Sequence, residues 1–84
     1  METIAILQIT CDPDALIEKT NTPHGPQFAL PLFYHLADGR IISAHYTALR
    51  KREVQAYRDQ LPLSPSNFSA EFYHGRFVGI AATY

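Results

Sequence analysis

The sequence predicts one α+β domain over residues 1–84, built from a single sheet of about five mainly antiparallel strands and two helices, in the order β-α-β-β-α-β-β. Three observations predict it. Residues 28–36 and 40–47 are apolar stretches flanking Ala37-Asp38-Gly39, a triplet that suits a type I turn with Gly39 left-handed in a G1 bulge. Leu49, Val54, Tyr57 and Leu61 recur at helical spacing. Residues 68–73 and 76–83 flank His74-Gly75 and read as a second hairpin.

From the N-terminus, residues 3–10 are β-branched and apolar, with Ile4 and Gln8 on one face and Ala5, Leu7 and Ile9 on the other. Apolar groups on both faces predict an inner strand. Cys11-Asp12-Pro13-Asp14 predicts a helix start, with Asp12 as N-cap, Pro13 at the first helical position and Asp14 on the positive end of the dipole. That helix is short, about two turns, and ends before residues 21–26, whose two prolines, glycine and asparagine predict a loop.

The first hairpin follows. A three-residue turn pairs Leu36 with Arg40, Tyr34 with Ile42, Leu32 with Ala44 and Leu30 with Tyr46, and every large apolar side chain except Phe33 and Ile41 then shares one face. A two-residue turn at Asp38-Gly39 would set Ser43 and His45 opposite Tyr34 and Leu32, so turn chemistry and hydrophobic pattern select the same register. Pro31 implies an edge, a strand start or a bulge. The second helix runs from 48 to about 61, sets Leu49, Val54, Tyr57 and Leu61 against the sheet, and stops at Pro62. In the last hairpin Glu71, Phe77, Gly79 and Ala81 fall on the outer face.

Composition bounds the function. Apolar residues make up 46% and charged residues 18%, a globular balance in which ten aromatic side chains supply core area. The net charge of −1 argues against a general electrostatic binder of nucleic acid. Its distribution says more. Residues 1–39 hold Glu2, Asp12, Asp14, Glu18 and Asp38 against Lys19, a balance of −4. Residues 40–84 hold Arg40, Arg50, Lys51, Arg52, Arg58 and Arg76 against Glu53, Asp59 and Glu71, a balance of +3. Such polarity can steer a charged partner or favour self-association. The first residues lack the pattern of a signal peptide, and no run approaches the ~18 apolar residues of a membrane span, so a cytoplasmic protein is expected.

Catalytic signals are sparse. Cys11 is the one cysteine, which excludes an internal disulfide and a cysteine-based zinc site. Its place before a helix start could lower its thiol pKa, yet no spacing supplies a base. His35 pairs with Ile41 in the register above, which puts His45 about 13 Å further along, too far to share a metal. No glycine-rich phosphate loop is present. The expectation is a protein without enzymatic activity, metal or cofactor.

The anomaly is cationic. Arg50, Lys51 and Arg52 stand in the first turn of the second helix, where each opposes the dipole by about 0.3–1 kcal/mol, and Arg58 joins them further along. A helix that disregards its own dipole is suited to an anionic partner. Phe33 and His35, on the outer face of the first hairpin, add an apolar docking patch. The expected function is a regulator, adaptor or inhibitor, of the kind phages and mobile elements encode, that docks on a protein or nucleoprotein through Arg50, Lys51, Arg52, Arg58, Phe33 and His35. The alternative is a nucleic-acid-binding module using helix 48–61. The sequence leaves monomer and homodimer both open.

Overall fold

The computed structural model describes residues 1–12, 14, 15, 17–23 and 25–82, with 18–22 by backbone alone. Strands β1 (Glu2–Thr10), β2 (Glu18–Thr22), β3 (Gly25–Leu36) and β4 (Ile41–Ala48) precede helix α1 (Lys51–Asp59), and β5 (Phe68–Tyr73) and β6 (Arg76–Ala82) follow it. All pairings are antiparallel. Five strands follow the path β2-β3-β1-β5-β6 in one curled sheet, and β4 pairs the other edge of β3. The α+β class holds, with one helix among the described residues instead of two and the order β-β-β-β-α-β-β.

β3 organises the sheet because its 12 residues serve three partners. One edge pairs with β4 from Phe28 to His35. The other pairs with β2 over Gly25 to Ala29 and with β1 over Phe33 to Leu36. The expected register is observed: Tyr34 faces Ile42, Leu32 faces Ala44 and Leu30 faces Tyr46. Leu36 donates to the Arg40 carbonyl at 2.9 Å, and Gly39, at φ 93°, donates to the Leu36 carbonyl at 3.1 Å. Only a residue at ease with positive φ closes this turn without strain. Asp38 reinforces it by accepting from the Arg40 backbone at 3.0 Å and from Arg40 Nε at 2.6 Å. The backbone donor, with the guanidinium beside it, holds the Asp38 carboxyl below its ordinary value.

The same hydrogen bonds explain Pro31. Leu36 donates toward β4 whereas Ala37 donates to Ala5 of β1 at 2.9 Å, so odd-numbered donors of β3 point toward the β1/β2 edge. Pro31 lies between the end of β2 pairing at Ala29 and the start of β1 pairing at Phe33. Its missing N–H therefore falls between the two pairings and removes no ladder hydrogen bond from either.

The first predicted helix is corrected. Asp12 does cap, but it caps a turn: its Oδ1 accepts from the Asp14 N–H at 2.9 Å and its carbonyl accepts from Ala15 at 3.0 Å. Pro13 lies outside the described residues. Beyond the turn, residues 18–22 form a strand paired with β3. A two-turn helix is too short to stand alone, and Thr20 and Thr22 favour extended backbone, so pairing with β3 prevails. The predicted loop 21–26 shrinks accordingly. Thr22 faces Gly25, and Asn21 and Pro26 belong to the strands. His24 lies outside the described residues.

β1 is an inner strand, between β3 and β5. Its faces differ from strict alternation because Ile6 pairs with Leu36 and Gln8 with His35, leaving Leu7 as the extra residue of a β-bulge. The bulge shifts parity, so Ile6 and Ile9 are both buried while Leu7 is 59% exposed. A second bulge corrects the last hairpin. Glu71 pairs with Gly79 but Phe72 with Phe77, which bulges Val78 and turns Phe77 to the core side, edge-on to Phe72 at 6.0 Å. His74 and Gly75, at φ 50° and 76°, make the turn, and Thr83 lies outside the described residues.

The core comprises Ile6, Ile9, Leu30, Leu32, Leu36, Val54, Ala70 and Phe72. α1 packs on β3 and β4, burying Val54 and stacking Tyr57 on Tyr46 with centroids 4.1 Å apart. Leu61 packs against this cluster as expected. Leu49 does not: it precedes the helix, next to an extended Arg50, and is 60% exposed.

Desolvation, with Tyr34 and Tyr46 close by, raises the Tyr57 phenol above its ordinary pKa of 10.0. A raised pKa means the fold favours the protonated phenol. This contribution is whole below pH 10.0 and is lost as pH rises through the folded value. Urea unfolding is therefore expected to show stability falling above that pH, and Tyr57→Phe is expected to flatten the fall.

Candidate partner-binding surface

α1 decides how the four cations are displayed. Arg50 is its N-cap, with φ −120° and ψ 128°, and its side chain makes no capping hydrogen bond. Glu53 and Val54 donate to the Arg50 carbonyl at 3.1 and 3.5 Å, which commits the chain to helix directly after it. Lys51 and Arg52 follow in the first turn, so all three cations meet the positive end of the dipole. Arg58 stands in the last turn, where the dipole favours it.

Helical geometry then separates them. Lys51, Gln55 and Arg58 are spaced i, i+4 and i+7 and share one flank, with Lys51 and Arg58 about 10 Å apart along the axis. These three line a cleft of about 350 Å³ together with Ala15 and Ile17. Arg58 also borders a cavity of about 450 Å³ shared with Thr10, Cys11, Asp59, Leu61 and Pro62. Arg52 is turned about 100° from Lys51 and shares its direction with Asp59, seven residues on. Among the described residues, the ion pair is Arg40–Asp38, and none of Arg50, Lys51, Arg52 or Arg58 is neutralised by a carboxylate.

Phe33 and His35 lie elsewhere. They alternate with Leu32, Tyr34 and Leu36, which face the core, so they occupy the sheet face opposite the helix. Both are half-buried there. His35 Nε2 and the Thr10 hydroxyl share a 2.6 Å hydrogen bond. The structure thus brings Lys51 and Arg58 to one cleft, leaves Arg50 and Arg52 exposed outside its lining, and sets Phe33 and His35 across the sheet.

Gln55 is the cleft's uncharged polar member, which charge alone does not single out. The i, i+4, i+7 spacing from Lys51 through Gln55 to Arg58 was the available signal. Ala15 and Ile17 carried no local signal, since their place depends on the route of the chain between β1 and β2. Cys11 is half-buried and forms no disulfide, and the helix start expected after it is a turn. Among the described residues no helix is long and apolar enough to cross a membrane. Comparisons with protein-family models, curated proteins and solved structures find no match to this chain.

Proposed function

We propose that the chain acts by binding, as a non-enzymatic cytoplasmic regulator, adaptor or inhibitor of the kind phages and mobile elements encode. It docks the basic flank of α1 on an anionic surface of a protein or nucleoprotein, masking a site or imitating a natural partner. The supporting observation is the cleft in which Lys51 and Arg58 converge with Gln55, lined by no acidic residue among the described side chains. Exposed Arg50 and Arg52 extend the positive field around it. Charge of this kind raises the encounter rate and selects the partner, and the apolar floor of Ala15 and Ile17 supplies contact area.

Direct nucleic-acid binding through the same helix is the second reading, motivated by three unneutralised cations at one helix end. Against it stand the net charge of −1 and the engagement of Tyr57 with Tyr46, which takes ring faces that bases would need.

Capture from a bacterial lysate, run with and without nuclease, tests both. A protein retained by the parent after nuclease treatment, and lost with Lys51→Glu/Arg58→Glu, is the expected result. Arg52→Glu, on the other flank, is expected to retain most of it. Capture that disappears with nuclease, and a drop of orders of magnitude in affinity between ~50 and ~200 mM salt, supports the nucleic-acid reading. Equal capture by parent and double variant overturns both.

A further inference from the structure

Arg58 is shared by two cavities. It lines the cleft of about 350 Å³ with Lys51 and Gln55, and it borders the cavity of about 450 Å³ with Asp59, Leu61 and Pro62. Each falls in the size range of small-molecule sites, about 300–1,000 Å³. The two differ in chemistry. The first offers Lys51 beside Arg58, with the Gln55 amide, and the second offers apolar Leu61 and Pro62 with one carboxylate, Asp59. Arg58 is half-buried, and among the described residues no carboxylate pairs with it. Such a guanidinium has lost part of its hydration without gaining a counterion, and its fork of donors matches the oxygens of a phosphate.

We propose that the adjoining cavities form one site for a nucleoside diphosphate whose base carries an amino group. The diphosphate lies in the first cavity. There Lys51 and Arg58, about 10 Å apart along the helix axis, meet its two ends, and Gln55 donates between them. The base lies in the second. It packs on Leu61 and Pro62, and Asp59 accepts from its N–H groups. Guanine presents two such donors side by side and suits the carboxylate best. Uracil presents one, flanked by carbonyl oxygens that repel the carboxylate, and suits it least. The order of charges argues against a polymer. A nucleic-acid strand needs cations that continue along its backbone, whereas Asp59 directly follows Arg58 and reverses the sign. The site shares Lys51 and Arg58 with the docking surface proposed above, but its ligand is read on the purified chain alone.

The test is isothermal titration calorimetry of the 84-residue chain, in EDTA, against GDP, UDP, pyrophosphate and guanosine. GDP is expected to bind one to one with a dissociation constant of about 10–100 µM. Pyrophosphate and guanosine each fill one cavity and are expected to bind at least about tenfold more weakly. UDP is expected to bind about fivefold more weakly than GDP. Arg58→Gln removes the group common to both cavities and is expected to weaken GDP by about tenfold or more. Asp59→Asn, at an exposed position, is expected to leave pyrophosphate binding unchanged and to bring GDP and UDP to about equal affinity, since an amide both donates and accepts. Arg52→Gln, on the other flank, is the control and is expected to stay within about twofold of the parent. Circular dichroism checks that each variant is folded. No heat with GDP up to millimolar concentration, pyrophosphate bound as tightly as GDP, or a preference for GDP over UDP that survives Asp59→Asn overturns the proposal. Failure here with capture intact leaves the docking surface standing, and GDP binding without any captured protein leaves this site standing.

Discussion

Leu30→Ala is expected to lower the unfolding free energy by about 3–4 kcal/mol. Leu30 is fully buried, pairs with Tyr46 across β3 and β4, and belongs to the cluster that receives Val54. Removing its side chain forfeits transfer energy and leaves a cavity between sheet and helix that a nine-residue helix cannot collapse to fill. A domain of this size has a total stability of roughly 5–10 kcal/mol, so the loss is a third or more. The urea midpoint should fall with the slope unchanged. Leu7→Ala is the matched control, the same chemical change at the exposed bulge of β1, and should cost about 0.5 kcal/mol or less. Equal losses at the two positions would contradict the parity that places Leu30 inside and Leu7 outside.

That pair of residues also marks how far the sequence could be read. The hairpin from Phe28 to Ala48 was legible because two independent signals, the Ala37-Asp38-Gly39 turn and the face alternation, select one register. The two bulges were not. Period-two reading assumes unbroken alternation, so it placed Leu7 with Ile9 and Phe77 with Gly79, and each bulge moved one member to the other face. Where a bulge falls is decided by the partner strand, which local sequence does not contain. β2 failed for another reason. Glu18-Lys19-Thr20-Asn21-Thr22 has no apolar period, and the backbone edge that β3 leaves open recruits it. The capping signal at Asp12 was real, and here it opens a turn instead of a helix.

The candidate surface divides along the same line. That Lys51 and Arg58 share a flank follows from helical period alone, but the wall opposite them comes from Ala15 and Ile17, more than thirty residues earlier. Grouping Phe33 and His35 with the cations relied on exposure without knowing the side of the sheet. The register, once joined to the packing of Tyr57 on Tyr46, sets them across it.

Arg50→Asp is expected to stabilise the fold and to weaken partner binding, opposite effects from one substitution. Arg50 already has the extended backbone of an N-cap, and its side chain caps nothing. An aspartate there can accept from the free N–H groups of the first turn, a gain of about 0.5–2 kcal/mol. Exchanging a cation for an anion at the positive end of the dipole adds about 0.3–1 kcal/mol. The melting temperature should rise by roughly 5–10 °C. The partner loses a rim cation and meets a like charge, so association should slow several-fold and become less sensitive to salt. Arg50→Asn separates the two causes, supplying the cap without the negative charge. It should recover much of the stability, and its binding should fall between parent and aspartate. If both variants melt higher and bind as the parent does, Arg50 is a solvated cation that merely leaves its helix uncapped. If the loss of association tracks the charge while stability rises, the unfavourable helix end is retained for the partner.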